Sequence, residues 1–206
     1  MGAPGLTSPI RAEAFDSLQL NAGIFLVDFD YSSATDADAL KTLIASAITD
    51  GTNILGVTRG GGTFTVTRDM RSPEIDGMRY PFKGSDYVDS TDAALSTTLL
   101  EITADNLKIA LGSGVKTATS TNVTTVTMNT AIATTDYLTN ICWVGDIADG
   151  DMVLICLNNA INTADLTYTY TDKGEGTLGV EFHARQGAVD DYDTAPFEVV
   201  FYNKAT

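Results

Sequence analysis

Two cysteines, one histidine and one tryptophan are all that 206 residues hold of those types, and the scarcity narrows the chemistry. Cys142 and Cys156 stand in the apolar runs NICWVGDI and MVLICLNN, with no C-x-x-C spacing and no histidine nearby. They read as buried free thiols, small hydrophobes of a core, rather than as metal ligands or a disulfide framework. Cations are also few: 12 Lys and Arg face 27 Asp and Glu, for a formal charge of −15. A protein that binds nucleic acid by neutralising phosphates needs a basic face, which so few scattered cations do not supply. No uncharged apolar run approaches the roughly 20 residues of a membrane span. The opening MGAPGLTSPIRAEAFD lacks the apolar stretch of a secretory signal, so the expectation is a soluble chain, made in the cytoplasm and not inserted in a membrane. Residues 117–135 carry no charge at all, although Val123, Val126 and Met128 give strand signals. Monomeric β proteins usually guard free sheet edges with charge or proline, so such a segment is expected to be covered either by neighbouring subunits or by the domain's own loops.

What is present is a β pattern. Hydrophobic residues make up 44% and charged residues 19%, too apolar for disorder, and the length suits one all-β domain over residues 1–206. Thirty threonines cluster in alternating runs such as FTVT at 64–67 and LTYTYT at 166–171. In the second run Leu166, Tyr168 and Tyr170 share one face, the period of a half-buried strand. Further strands are expected within 20–30, 93–103, 125–129, 150–159, 177–185 and 197–202, about eight to ten in all, as in a sandwich or open barrel. Residues 35–51 place Ala37, Leu40, Ile44, Ala47 and Ile48 at helical spacing. Thr35 with Asp38 gives a capping-box-like start, and Gly51 a stop. A shorter helix is expected over 104–111, with Thr103 as its N-cap. The stretch 70–92 mixes Arg71, Glu74, Asp76, Arg79 and Lys83 with Tyr80, Phe82 and Tyr87, and reads as a long loop or extended hairpin suited to docking on a partner.

Little of the candidate chemistry survives inspection. Gly174, Gly176 and Gly179 spell G-x-G-x-x-G, but a strand follows instead of a helix and Glu175 would repel phosphates, so a hairpin turn is expected. Gly60–Gly62 lack the Gly-Lys-Ser/Thr ending of a phosphate loop. His183, on a strand beside Glu181 and Arg185, reads as a solvated sheet-face histidine without a nucleophile-elbow serine to serve. Asp146, Asp149 and Asp151, and likewise Asp190, Asp191 and Asp193, offer closely spaced oxygens without EF-hand spacing. With the threonine-rich strands they motivate one alternative function, an extracellular calcium-supported β-sandwich binding module or adhesin. No catalytic residue, cofactor or metal is assigned, although paired carboxylates of a hydrolase meet through the fold and spacing does not test them.

In order along the chain, ILGVTRGGGTFTVTRDMRSPEIDGMRYPFKGSDYVDS at 54–90, ALSTTLLEITADNLKIALG at 94–112 and DTAPFEVVFYN at 193–203 resemble the tail tube proteins (major tail proteins) of long-tailed, siphovirus-type bacteriophages of Gram-positive hosts. The likeness covers most of the chain beyond Asn21 and is weakest over 115–149. It implies a mainly β fold, a tail-tube-type β-sandwich or split barrel of two orthogonally packed sheets with one flanking helix and a long loop or hairpin. It implies a structural virion protein and no enzyme. Hexameric rings would stack into a tube that conducts double-stranded DNA without specific binding, in company with tape-measure, tail-tip and terminator proteins. Assembly would take place in the host cytoplasm. The N-terminal arm 1–20, the long inter-subunit loop 70–92 and the C-terminal strand 195–206 are the implied segments that reach neighbouring subunits, with Arg71, Glu74, Asp76, Arg79, Tyr80, Phe82, Lys83 and Tyr87 on the long loop. Six copies at −15 give a ring charge of −90. An acidic bore does not hold a polyanion. Asp28, Asp30, Glu101 and Glu181, taken as strand-borne acids, are the expected wall residues.

Overall fold

The computed structural model describes residues 15–19, 21–187 and 194–205. The architecture is mainly β and antiparallel. Its strands are β1 (Ile24–Val27), β2 (Thr58–Arg71), β3 (Tyr87–Leu99), β4 (Gly114–Ser120), β5 (Val123–Met128), β6 (Leu138–Asp146), β7 (Met152–Asn162), β8 (Tyr168–Thr169), β9 (Thr177–His183) and β10 (Phe197–Tyr202), with helices α1 (Ala37–Asp50) and α2 (Ala104–Ala110). Strand β7 belongs to two pairing sets. Its first part lies between β6 and β10, and its last two residues, Ile161 and Asn162, pair with β9. One set therefore runs β1-β6-β7-β10, and the other runs from β7 through β9 and β3 to β2.

Alternation along the strands builds two apolar layers. Phe25, Ile141, Trp143 and Leu157 of the first set cluster with Leu95, Leu99, Leu178, Val180 and Phe182 of the second. The opposite side of the first set, Leu26, Cys142, Val144, Leu154 and Cys156, packs on Leu40, Ile44 and Ala47 of α1. The first set is thus buried on both faces and the second on one, which is why β6 and β7 read as nearly continuous apolar runs and β2 and β3 do not. Helix α1 starts one residue later than Thr35 suggested: the Asp36 carboxylate accepts the Ala39 amide at 2.8 Å and fills the N-cap role. Gly51 ends the helix in the left-handed region at φ 63°. Thr103 caps α2 as expected.

Two buried asparagines join the layers. Asn140 exchanges hydrogen bonds with the backbone of Phe29, accepting at 2.8 Å and donating at 2.9 Å, in imitation of a ladder rung. Asn162 donates to the carbonyls of Ala110 at 2.6 Å and Ala164 at 3.1 Å and accepts the Glu181 amide at 2.7 Å. It ties α2 to the junction of β7 and β9. An Asn162→Leu variant keeps the branched side-chain shape but strands these buried groups, each at about 1–3 kcal/mol. The expected loss is about 2–4 kcal/mol in urea unfolding with an unchanged m value; a loss below about 1 kcal/mol would remove Asn162 from this role.

Candidate functional site

Among the described residues the distinctive surface features are a projecting ribbon, an open sheet face and unpaired edges. Strands β2 and β3 pair from Thr58 with Leu99 to Arg71 with Tyr87. The β9 partner of β3 stops at Ala94 opposite His183, so the ribbon beyond it, about 67–71 with 87–92, has no third strand. At about 3.3 Å per residue it extends roughly 17 Å, and the connection 72–86 caps it. Of the stretch 70–92, read as a long loop or extended hairpin, Met70, Arg71 and 87–92 are the strand ends of a hairpin and 72–86 is the loop that joins them.

The ribbon is exposed on both faces, and its apolar side chains have little to cover them: Met70 is 59% exposed, Ile75 62%, Tyr80 81%, Phe82 69% and Val88 52%. A two-stranded ribbon of this kind is marginal in water without something to pack on. Local polar contacts shape it. Arg71 bonds Asp89 at 2.8 Å and lies 5.9 Å from the Tyr87 ring centre, while the Ser72 hydroxyl meets Asp86. Glu74, Asp76, Arg79, Tyr80, Phe82, Lys83 and Tyr87 are all exposed, as docking residues need to be.

The second surface is the outer face of β2, β3 and β9. Phe64 points into the core, so Thr63, Thr65 and Thr67 point away from it. Register adds Ser96 and Glu181 beside Thr63, Ala94 and His183 beside Thr65, and Asp92 beside Thr67. Left-handed Gly60 and Gly61 make the bulge that carries β2 past Gly62, where any Cβ would strike the Phe25 ring. His183 shares the face with Glu181 as expected but is paired instead of solvated: its Nδ1 is 2.6 Å from Asp92 and its Nε2 is 3.6 Å from Glu181. Arg185 lies 3.5 Å from Asp92, and Arg59 lies 2.6 Å from Glu175. The Arg59 hydrogen bond holds the Glu175 carboxyl below the usual carboxylate range. Both arginines of this face are thus matched by carboxylates, and Asp69 and Glu181 add further negative charge.

Of the four acids expected along strands, only Glu181 lies within one. Asp28 follows β1 in a left-handed conformation, φ 49°, and its carboxylate accepts the Thr139 amide at 2.7 Å. Asp30 sits in the next turn, where Ser32 hydrogen bonds hold its pKa down. Glu101 follows β3 and accepts the Val57 amide at 3.3 Å. Asp69 and Asp92 take their place on the open face. Asp92 falls one residue before the strand expected from 93 and Asp69 just before the 70–92 stretch, although the FTVT alternation, continued past Thr67, places Asp69 on this face.

Free edges complete the picture. Among the described residues β2 and β10 each pair on one side only. The C-terminal strand expected at 197–202 is β10, which lies against β7 in the chain's own sheet with Phe201 67% exposed. Strands β4 and β5 form a separate hairpin held to α2 by Lys116 and Asp105 at 2.7 Å, and most of the uncharged stretch 117–135 is exposed on it. The LTYTYT run is not a half-buried strand: only Tyr168 and Thr169 pair, at the edge of β9, and Tyr170 is 77% exposed. The glycine-rich KGEGTLG is a turn leading into β9, as expected. Cys142 and Cys156 are buried free thiols. Asp146, Asp149 and Asp151 surround the β6–β7 turn, where Asp151 accepts the Lys204 amide at 2.8 Å. Among the described residues no group of three His, Cys, Asp or Glu is placed to hold a metal ion, and Asp190, Asp191 and Asp193 lie outside them. Of the implied N-terminal arm, only 15–19 are described, with Gln19 bridging to Ile147. No described helix is long and apolar enough to cross a membrane. No family model matches the chain, and neither does any curated protein.

Proposed function

We propose that this chain is a structural virion protein, the repeating subunit of a bacteriophage tail tube, with no catalytic role. Copies associate into hexameric rings, the rings stack, and the outer face of β2, β3 and β9 turns toward a bore through which double-stranded DNA passes. The observation that carries the reading is the β2–β3 ribbon, a long hairpin with bare apolar side chains on a subunit whose neighbouring edge is also unpaired. A protein that worked alone would gain nothing from such an arm and would risk aggregation through it. The threonine-rich open face, whose arginines are neutralised in place, supports the second half: it offers a DNA backbone no free cation to stop on. Six-fold closure and the tape-measure, tail-tip and terminator partners rest on the sequence resemblance.

Negative-stain electron microscopy of the purified protein, alone and with tail-tip components, tests the reading. Rings or tubes of uniform diameter are expected in at least one of these preparations. A strictly monomeric protein in both would overturn the proposal.

A further inference from the structure

In the β6–β7 ladder Cys142 stands directly opposite Cys156. Both thiols are free, fully buried and on the face that packs against α1. Three hydrogen bonds define the kind of pair they form. The Ile147 amide donates to the Asp151 carbonyl at 2.9 Å, the Asp28 amide to Asn140 at 3.0 Å, and the Asn158 amide to Pro196 at 2.8 Å. In an antiparallel sheet each residue turns both backbone groups to one side, and the side alternates. Asn140 and therefore Cys142 turn theirs toward β1, while Asn158 and therefore Cys156 turn theirs toward β10. Between β6 and β7 the two cysteines are thus a non-hydrogen-bonded pair, for which Cα atoms lie about 4.5 Å apart and side chains approach most closely. That spacing falls at the short end of the roughly 4.4–6.8 Å that a disulfide spans.

We propose that Cys142 and Cys156 form a reversible cross-strand disulfide when the chain moves from a reducing to an oxidising environment. The pairing fixes no order, and one course of exchange runs through Cys156. Hydrogen bonding with Cys156, together with burial, raises the Cys142 pKa. Donation from Cys142 draws Cys156 down against the cost of burial and the nearby Glu198 charge. The Cys156 thiolate attacks one sulfur of a small disulfide such as oxidised glutathione, whose S–S bond breaks and releases one glutathione thiolate. Cys142 gives its proton to that thiolate and attacks the Cys156 sulfur, expelling the second glutathione as a thiolate that takes up the proton Cys156 released. Two protein thiols are oxidised and one glutathione disulfide is reduced to two thiols. Because α1 covers both sulfurs, reaction waits on local opening and is slow. A bridge at the short end of the range is strained and readily reduced again, which is why the link is reversible. The chemistry is independent of the tail-tube reading.

The test uses the full chain, reduced and then freed of reductant, incubated with oxidised glutathione over several hours. Samples are unfolded in acid, alkylated and weighed intact. Alkylatable thiols are expected to fall from two to none per chain, with a loss of about 2 Da for the two hydrogens removed. A peptide map should join the Cys142 and Cys156 peptides, and dithiothreitol should restore both thiols. Two persisting thiols, a stable glutathione adduct or a link between chains would each overturn the assignment.

Discussion

Tubes are expected to disappear when Tyr80 and Phe82 are both replaced by serine, while the variant stays folded. The two rings are 81% and 69% exposed on the single chain, so removing them takes almost no buried area from it. Surface changes of this kind usually move stability by no more than about 0.5 kcal/mol. In an interface the balance reverses. A buried aromatic anchor at a contact centre is worth about 2 kcal/mol or more, so losing two weakens each contact by about 4 kcal/mol, close to a thousandfold. A closed ring repeats that contact around its circumference, and a stack repeats it again, so the assembled population collapses. Sedimentation velocity and negative-stain images measure the loss, and thermal melting confirms the fold. Tubes of normal length from the double variant would show that the ribbon tip is not where copies meet.

The same ribbon marks the limit of what the residues alone convey. A strand announces itself by alternation only when one face is buried. Residues 64–67 alternate because Phe64 reaches the core, but Met70 and Val88 stand on a ribbon with water on both sides, so the signal fades where the strands continue. Pro73 and Pro81 leave a long loop and an extended hairpin equally open from sequence, although they lie in the 72–86 connection and leave both strands intact. LTYTYT fails in the opposite way. Its alternation is good, but β7 takes part of the open edge of β9, and only two residues of the run find a partner. Helix α1 was legible because its apolar stripe has a sheet to cover. Its start slipped by one residue because Thr35 and Asp36 are both competent caps, and only geometry chooses between them. The placement of the four acids expected on strands was the least legible. Asp28 and Asp30 follow an apolar run and resemble strand ends, but the Asn140 side chain captures the Phe29 backbone and turns the chain away.

Placing lysine at both Thr65 and Thr67 is expected to change a passive bore into one that holds DNA. The two threonines are exposed on the outer face of β2, opposite the core-facing Phe64, so the longer side chains enter free space and the fold tolerates them. Each subunit gains two positive charges on a face where Arg59 and Arg185 are already held by carboxylates. Asp92 and Glu181 neutralise part of the addition, but in the proposed assembly six subunits per ring and many rings per tube place the remainder along the whole path. Each phosphate that finds a lysine releases counterions, and about 6–10 such contacts give an affinity that falls by about a thousandfold or more between 50 and 200 mM salt. Preformed tubes of the variant should therefore retain short duplex DNA at low salt, release it at high salt and shield it from nuclease, whereas unmodified tubes should retain none. Nuclease protection is the discriminating measurement. Duplex that binds the variant yet is digested at the rate of free DNA would place these lysines on the outside of the particle, and the open face with them.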